Sequence, residues 1–398
     1  MSKIYNNFNI ISSDLSLFIN SCHSNLSKPL LKNIPSLILS MINSQSVITA
    51  NMASSISSVW SSNELSNQKK IWRILNNKHL NIYSLYHNVI SSIVSNISNV
   101  RHNLLTVTLD HMFTKNNFVT LMFTLKIDNQ GIPLVFRTER TLSNCHSEIQ
   151  KLSRKKLFSE SFIISLIDEV IELLSPLNTP ILFLADRWFF NLSILKHIQN
   201  KGAFFCFRAK ANSSVRFLLY DKHEKHSIYK HLSDLHQYVY RSSYYNDIEL
   251  GDMKLKCNLS ISRLAVSSDE PWFIVSNLPP KIAIKKYSHR FASIEMFFKA
   301  QKTDGFYLEK TKTRNSLAFE NLYGILCIAQ LWLAIIGTDY IKNYRHYKKT
   351  INIRFNKKTK SGHRIRILST FKLALRLFHA VFNSSINFRL KTNFKLYL

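Results

Sequence analysis

The stretch Tyr287-Ser-His-Arg-Phe-Ala-Ser-Ile-Glu-Met-Phe-Phe-Lys-Ala-Gln-Lys302 has the length of a helix and carries several cations around one carboxylate, Glu295. At about 100° per residue, Lys302 lies almost two turns beyond Glu295 on the same face, and Lys299 lies one turn beyond it. A carboxylate can hold a divalent metal ion while ammonium groups bind the phosphates around a scissile bond. A solvated helix with an ordinary Glu and Lys at i,i+4 has the same pattern. The segment therefore indicates phosphate chemistry only if the rest of the chain supplies further acids.

The composition predicts a polyanionic partner. The chain of 398 residues is 45% hydrophobic, enough to bury a core and to form about two or three domains. Its 53 Lys and Arg residues exceed its 24 Asp and Glu residues, which gives a formal net charge of +29. From Tyr340 to Leu398 there are 15 Lys or Arg residues and no acid. Nucleic acid is the first candidate partner, and we expect this basic tail to lie on phosphates.

Neither secretion nor a membrane span is indicated. The five cysteines are far apart and never form a Cys-x-x-Cys pair, so no zinc site or disulfide framework is signalled, and a reducing cytoplasm fits. The N-terminal residues lack the apolar run of a signal peptide. The most apolar segment, Leu322–Ile336, is interrupted by Gly324 and Gln330 and is shorter than the roughly 20 residues that a span needs. We predict a buried core helix there and a cytoplasmic, nucleoid-associated protein.

Residues 1 to about 100 show helical periodicity only. Pro29–Ile42 and Ser46–Ile56 are joined by a polar turn and outline a helix-turn-helix, with a plain helical bundle as the alternative. A third helix surrounds Trp72, and Leu80–Val94 forms a fourth. Seven Lys or Arg residues against two acids over the first hundred residues favour contact with DNA. We therefore predict a helical DNA-binding domain at 1–100, with cationic contacts from Lys69, Lys70 and Arg73.

From about residue 101 the pattern becomes that of a mixed α/β domain. Alternating apolar residues predict three antiparallel strands, and an amphipathic helix, a buried strand, a second helix and a last strand follow. These elements are Leu104–Asp110, Phe118–Ile127, Ile132–Glu139, Ser159–Ser175, Pro180–Asp186, Leu192–Asn200 and Ala203–Phe207. This is the element order of a ribonuclease H-like core, which we place at 101–338. A mostly β insertion is expected at about 211–284, and a helical basic C-terminal region at 339–398, with an amphipathic segment around Ile365–Phe382.

Two further acids fall at the ends of predicted strands. Asp110 ends the first strand and Asp186 ends the fourth, at the carboxyl edge where open α/β sheets gather functional groups. Each acid alone is more often a turn or cap residue. Together with Glu295, however, they form a set that can hold two Mg²⁺ or Mn²⁺ ions at a phosphodiester. We therefore expect the three carboxylates to converge within metal-bridging range.

Several segments resemble the DDE transposases of the bacterial insertion-sequence-four family. Tyr287-Ser-His-Arg290, Ile294-Glu295 and Lys299-Ala-Gln-Lys302 are similar to that family's Tyr-Arg-Glu-Lys signature, and Leu182-Phe-Leu-Ala-Asp186-Arg187 to its second-aspartate segment. The resemblance covers about residues 100 to 335. It implies a ribonuclease H-like core with a β insertion, Mg²⁺-dependent cut-and-paste transposition through hairpin ends, and a synaptic homodimer on double-stranded DNA.

Carried over residue by residue, the resemblance also implies roles for individual side chains. Asp110, Asp186 and Glu295 would be the metal ligands. Phosphates beside the cleaved bond and the flipped base would be contacted by Tyr287, Arg290 and Lys302, and we add Arg187 and Lys299 as DNA-binding candidates. Trp188, Trp272 and Tyr245 could stack on an unpaired base, and His111 and His289 could touch metal or phosphate. For the aromatic residues we favour core packing, and for the histidines a local structural role.

One spacing differs from the family pattern. That family usually has three residues between its signature Arg and Glu, whereas four separate Arg290 from Glu295, which in a straight α-helix rotates them apart by about 140°. We expect an unwound or bulged turn near Phe291–Ser293 to absorb the extra residue, with Ser293 as a local cap and an unbroken helix from Glu295 onward.

The leading function is thus a transposase that cleaves and joins DNA strands. A nuclease on the same core is a close rival, but it would not need an end-recognition domain, a β insertion and a basic tail together. From a different class, a catalytically decayed DNA-binding protein could occupy and repress the element ends.

Overall fold

The computed structural model describes residues 2–22, 26–60, 62–97, 103–127, 130–141, 158–210, 217–221, 226–235, 241–262, 271–359 and 363–383. Within these ranges the chain forms N-terminal helices, one large mixed sheet with helices on it, and a helical C-terminal part with a small hairpin.

The N-terminal part consists of helices in the described residues. They are α1 (Ser2–Ser21), α2 (Lys28–Ser44), α3 (Thr49–Trp60), α4 (Glu64–Leu75) and α5 (Ile82–Ser95). The positions of α2 to α5 agree with the prediction, whereas α1 was not predicted as a separate element. The helix α3 begins three residues later than expected because the Ser46 hydroxyl accepts a hydrogen bond from the Ile48 N–H (3.1 Å) and holds that residue in the turn. The apolar faces of these helices belong to the same hydrophobic cluster as the sheet.

The centre of the molecule is a five-strand block in the order β3-β2-β1-β4-β5. Its strands are β1 (Leu105–Phe113), β2 (Phe118–Ile127), β3 (Gln130–Arg140), β4 (Ile181–Ala185) and β5 (Phe204–Ala209). The pairs β1–β2 and β2–β3 are antiparallel, while β1–β4 and β4–β5 are parallel. The helices α6 (Glu160–Leu174) and α7 (Leu192–Asn200) supply the connections that parallel strands need. This order is consistent with the predicted ribonuclease H-like core.

The β-rich insertion extends this block into a ten-stranded sheet. Its described strands are β6 (Phe217–Asp221), β7 (His226–Lys230), β8 (Ser243–Leu250), β9 (Leu255–Ile261) and β10 (Phe273–Ser276). The last of them, β10, pairs antiparallel with β5 and with β9, so the sheet continues as β10-β9-β8-β6-β7. The sequence predicted strands in this region but not the pairing that joins them to the core. Parts of three predicted strands, 215–216, 237–240 and 263–264, lie outside the described residues.

Alternation along β1 and β4 divides the sheet into two faces. Leu105, Val107 and Leu109 enter the main hydrophobic cluster, as do Phe183 and Ala185. Leu182 and Leu184 enter a second, smaller cluster on the other face, which also contains Tyr287. The even-numbered positions of both strands therefore point to the face of Tyr287.

After the sheet the chain is mostly helical. It forms α8 (Pro280–Tyr287), a first π turn (Phe291–Glu295), α9 (Met296–Lys299), a second π turn (Ala300–Asp304), α10 (Ser316–Lys342), α11 (Tyr344–Tyr347), the hairpin β11 (Asn356–Lys358) and β12 (Arg364–Arg366), and α12 (Thr370–Asn383). The predicted amphipathic helix at 365–382 was wrong at its start, since Ile365 pairs with Lys357 in the hairpin. The last residues of the basic tail, 384–398, lie outside the described part.

The long apolar helix α10 is long and apolar enough to cross a membrane, the single such helix among the described residues. Yet 89% of its most apolar window is buried inside the protein. This burial agrees with the predicted core helix. The four cysteines of the described residues are buried and form no disulfide, and Cys145 lies outside those residues.

Candidate active site

Two carboxylates meet at the carboxyl ends of neighbouring parallel strands. Asp110 lies in β1, which continues to Phe113 and so does not end at Asp110 as we predicted, and Asp186 directly follows β4. The parallel register pairs Leu109 with Ala185, so Asp110 and Asp186 occupy the next position on each strand. Both are even-numbered positions and point to the face of Tyr287. The sheet register thus brings together two acids that are far apart in sequence.

A third carboxylate reaches this edge from the segment after α8. The backbone between Arg290 and Glu295 forms a π turn, in which the Met296 N–H donates to the Phe291 carbonyl, five residues earlier. Because a π turn spaces its hydrogen bonds at i→i+5, residues five apart point the same way. The Arg290 Nη1 donates to Glu295 Oε1 at 2.7 Å, and its Nη2 donates to Asp110 Oδ2. One guanidinium therefore bridges Asp110 and Glu295.

The extra residue between Arg290 and Glu295 is absorbed where we expected, by a bulged rather than an unwound turn. The segment stays helical and widens into the π turn. The expectation of an unbroken helix from Glu295 onward was wrong, since α9 gives way to the second π turn, where the Gly305 N–H donates to the Ala300 carbonyl. Widened turns of this kind are frequent at functional sites.

A buried hydroxyl pair fixes the first π turn on the sheet. The Ser293 hydroxyl donates to the Arg290 carbonyl (3.0 Å) and lies 2.6 Å from the Thr108 hydroxyl on β1. Ser293 is therefore not the cap that we predicted, because it lies inside the π turn and is fully buried. Gly131 closes the contact from β3: a Cβ at that position would lie 1.8 Å from the Ser293 carbonyl oxygen. These contacts hold Arg290 and Glu295 above Asp110.

Burial dominates the electrostatics of Asp110. Its side chain is 13% exposed, and this burial raises the pKa of Asp110 to about 6. Arg290 and the His111 N–H, which donates to Asp110 Oδ1 at 2.8 Å, oppose the rise, while the charges of Asp186 and Glu295 add to it. The Asp110 carboxyl thus titrates within reach of neutral pH. The charges of Asp186 and Glu295 thus both act on Asp110, as expected for carboxylates that share a site.

The neighbouring aromatic groups shape the walls of the site. Burial lowers the pKa of His111 to about 4, so this imidazole is neutral at pH 7, and its ring packs edge-on against Trp188 and Phe189. Burial also raises the pKa of the Tyr287 hydroxyl, and the charge of Asp186 adds to this effect. The predicted core packing was wrong for Trp188 and Trp272, since both indoles are exposed, with 42% of Trp188 accessible. Tyr245 is partly buried against the main cluster, which agrees with the prediction.

Two of the predicted phosphate-binding cations are paired with acids other than Asp110, Asp186 and Glu295. Lys299 pairs with Asp304 (3.5 Å) and Lys302 pairs with Glu309 (3.3 Å). The second π turn changes the rotation per residue before Lys302, so the α-helical spacing that placed it over Glu295 does not apply. The Arg187 N–H donates to Asp186 Oδ1 at 2.7 Å, and Arg187 is half-buried beside that acid. The pKa of His289 is lowered by burial and by nearby lysines.

The donor chemistry suits a hard divalent cation, but the three carboxylates do not form one ligand cluster. Carboxylate oxygens are what Mg²⁺ and Mn²⁺ prefer. Among the residues that the structure describes, however, no three His, Cys, Asp or Glu side chains are grouped closely enough to hold a metal ion. The expected convergence within metal-bridging range is therefore not formed, and the physical reason is that the Arg290 guanidinium lies between Asp110 and Glu295.

Away from this edge, α4 presents a mixed basic and aromatic face. Leu65, Gln68, Lys69, Trp72 and Arg73 line one surface depression on it, and the opposite face is buried through Asn67, Ile71, Ile74 and Leu75. Lys70 does not line this depression; its Nζ lies 3.8 Å from the centroid of the Trp60 ring. The helix α3, which the predicted helix-turn-helix would use for reading, carries no charged residue. Two exposed cations of the N-terminal part, Lys69 and Arg73, thus lie on α4.

A second basic surface is an open cleft in the C-terminal part. Its lining, all within the described range 271–359, includes Lys342, Arg345, Arg354 and Lys357 and no acid. Tyr344 and Phe355 pack edge-on at 5.0 Å and belong to the same lining. The basic residues after Tyr340 are therefore gathered, in part, into a folded cleft rather than spread along an extended tail.

Comparison with known families finds a match within this chain. Residues 164–332 match the family model described as "Transposase DDE domain". The matched span contains Asp186 and Glu295, and Asp110 lies before it. No curated protein matches the chain. The family match supports a DDE transposase, and a domain of this description implies a nuclease or transposase activity with DNA as the partner.

Proposed function

We propose that this chain is a transposase of the insertion-sequence-four type, which cuts an element from DNA and joins it to a target by Mg²⁺- or Mn²⁺-dependent chemistry. The observation that carries the proposal is the placement of Asp110, Asp186 and Glu295 at one edge of the sheet. Asp110 and Asp186 each follow one residue of the pair Leu109–Ala185, which joins β1 to β4. Glu295 is linked to Asp110 through hydrogen bonds from Arg290 to both carboxylates. The match to the transposase DDE domain supports the same reaction class.

In this proposal the carboxylates of the site bind metal ions and the cations bind phosphates. Asp110, Asp186 and Glu295 would hold two divalent ions, which supply an activated water or 3′-hydroxyl and stabilise the leaving oxygen at the phosphodiester. Contacts to the phosphates on either side would come from Tyr287, Arg290, Lys299, Lys302 and Arg187. The exposed Trp188 indole, directly beyond Asp186, offers a surface on which an unpaired base can stack.

The charged surfaces suit double-stranded DNA. The net charge of +29 attracts a polyanion over long range. In our proposal the α4 face, with Lys69 and Arg73, contacts the inverted-repeat ends, and Lys70 adds charge behind it. The C-terminal cleft holds the phosphates of end or target DNA without regard to sequence. Two copies of the chain would act together on paired ends in the cytoplasm, close to the nucleoid.

The test is strand cleavage on duplexes taken from the DNA that flanks the coding sequence, with Mg²⁺ present. Asp110→Asn, Asp186→Asn and Glu295→Gln should each abolish cleavage and leave end binding in place, because end binding depends on α4 and the basic cleft. Glu169→Gln is the matched control, since Glu169 is a half-buried, ion-paired carboxylate on α6 whose partner is Arg137 (2.6 Å). Retained Mg²⁺-dependent cleavage in any of the three variants would argue against the proposal.

A catalytically decayed end-binding protein is the second candidate. The observation that favours it is the absence of a three-carboxylate cluster in the described residues. It predicts that the wild-type chain binds the flanking repeats but leaves them uncut in both Mg²⁺ and Mn²⁺. Cleavage by the wild-type chain that is lost in Asp186→Asn would exclude this candidate.

A further inference from the structure

Arg290 occupies the place where a metal ion would have to sit. Its two terminal nitrogens are directed at different carboxylates, Nη1 at Glu295 and Nη2 at Asp110. The guanidinium is only 14% exposed. A divalent ion on the same oxygens would place like charges a few ångströms apart beside the largely buried Asp110, where repulsion is strong. Arg290 and a metal ion are therefore alternative partners of Asp110 and Glu295.

The third nitrogen of the same guanidinium has no hydrogen-bond partner among the described residues. Arg290 Nε is buried and makes no hydrogen bond among the described residues. A buried donor without an acceptor costs free energy. A phosphate oxygen is the acceptor that the planar guanidinium fork fits best, commonly through two parallel hydrogen bonds. A DNA phosphate that accepts hydrogen bonds from Nε and a terminal nitrogen would therefore compete with the two carboxylates for Arg290.

The surrounding backbone allows the side chain to move without the helix. The Arg290 carbonyl accepts the Ser293 hydroxyl, and Ser293 is tied to Thr108 on β1. These bonds fix the main chain of the first π turn. A change of partner at Arg290 is then a rotation about its side-chain bonds.

We propose that Arg290 is an internal counter-ion that excludes divalent metal from Asp110 and Glu295 until a DNA phosphate draws the guanidinium away. This inference rests on the proposed function and adds a regulation to that site: metal loading is coupled to DNA binding. Because coupling between two ligands is reciprocal, DNA strengthens metal binding and metal strengthens DNA binding by the same factor.

The experiment measures Mn²⁺ binding to the full chain by the electron paramagnetic resonance signal of free Mn²⁺, with and without a duplex from the flanking DNA. The same duplex without protein gives the Mn²⁺ bound by DNA itself, which is subtracted. For the wild-type chain we expect the duplex to tighten Mn²⁺ binding by at least about tenfold, the strength of one charge-assisted hydrogen bond. Arg290→Met should bind Mn²⁺ tightly without DNA and gain little from the duplex.

The controls separate the coupling from general effects of charge and folding. Arg137→Met removes another ion-paired, partly buried arginine and should behave as wild type. Arg290→Lys keeps one positive charge but not the fork that spans both carboxylates, so an intermediate affinity is expected. If Arg290→Met does not fold, as judged by circular dichroism, Arg290→Lys decides: Mn²⁺ binding no tighter than in wild type overturns the inference.

The remaining outcomes distinguish the two proposals. Tight Mn²⁺ binding to the wild-type chain alone, unchanged by DNA, overturns the counter-ion role while the proposed transposase stands. No Mn²⁺ binding to any form, with or without the duplex, overturns both.

Discussion

Arg290 and Glu295 are five residues apart, and their side chains nevertheless form an ion pair with 2.7 Å between Nη1 and Oε1. In a regular α-helix this spacing would turn the two side chains about 140° from each other. The first π turn removes this rotation, as its Met296 N–H to Phe291 carbonyl bond shows. An additional residue in the sequence is thereby accommodated without moving either functional group from the site.

Deletion of Ala292 tests this accommodation. The deletion leaves four steps between Arg290 and Glu295, which a plain α-turn aligns equally well, and Ser293 stays two residues before Glu295. We expect the melting temperature to stay within a few degrees of wild type and cleavage of flanking-DNA duplexes to be kept or improved. As a control, deletion of Ala329 from the regular, buried α10 should unfold the protein, because it rotates all later residues of the helix. A loss of folding in both variants would show that the π turn itself is required.

Asp110 makes stability and metal binding depend on pH in opposite senses. Its pKa is raised from 3.8 to about 6 by burial, so the folded chain holds this proton more tightly than the unfolded chain does. The resulting stabilisation is complete below about pH 4 and is lost as the pH rises through about 6. Metal binding needs the ionised carboxylate and should increase over the same range.

Unfolding by urea between about pH 4 and 7, compared for wild type and Asp110→Asn, measures the stability effect of this proton. The difference in unfolding free energy between the two proteins should change in this window, with the wild type losing stability relative to the variant as the pH rises. Arg290→Met should move the midpoint of this change to higher pH, because Arg290 opposes the raised pKa of Asp110. A difference that stays constant across the window would contradict the assigned pKa.

Gly131→Ala should weaken the packing of the first π turn against β3. The added Cβ would lie 1.8 Å from the Ser293 carbonyl oxygen, so either β3 or the first π turn must move. Overpacking of this kind typically costs about 1–3 kcal/mol. We expect a lower melting temperature together with weaker cleavage, because a shift of Ser293 would also displace its neighbours Arg290 and Glu295. Unchanged melting and cleavage would mean that the two backbones can separate freely.

The two basic surfaces should contribute differently to DNA binding. Each phosphate contact that is lost lowers the slope of log affinity against log salt by roughly 0.9. Replacing Lys342, Arg345, Arg354 and Lys357 with Gln should flatten this slope and leave discrimination between end and random duplexes unchanged. Replacing Gln68 and Trp72 on α4 with Ala should reduce discrimination with little change in slope. The reverse assignment of the two effects would show that α4 is not the reading surface.

The strand pattern was predictable because it depends on short-range alternation. β1, β2, β4 and β5 bury alternate or continuous apolar residues, and Asp110 and Asp186 fall where those runs end, so their meeting follows from parallel pairing. The helix α7 was predicted with its observed bounds, and Asn191 caps its first turn, since Asn191 Oδ1 accepts from the Ser193 N–H at 2.9 Å.

The unpredicted part depends on contacts between distant segments. A π turn has the composition of an α-helix, so no periodic signal in Phe291–Glu295 distinguishes the two. The role of Ser293 was not predictable because its partner Thr108 is 185 residues away in the sequence. The Arg290 bridge to Asp110 was missed for the same reason. A signal was present in the four-residue spacing between Arg290 and Glu295, which is the spacing that a π turn aligns.

The pairing of β10 with both β5 and β9 determines how the insertion can be exchanged between related proteins. A domain joined by flexible linkers can be removed or transplanted as a cassette, whereas here a cut on either side of β10 leaves an open backbone edge along β5 or β9. Such an edge is a template for intermolecular pairing. A viable recombinant of this fold must therefore carry β10 together with the rest of the insertion, or close the core sheet at β5 by another strand.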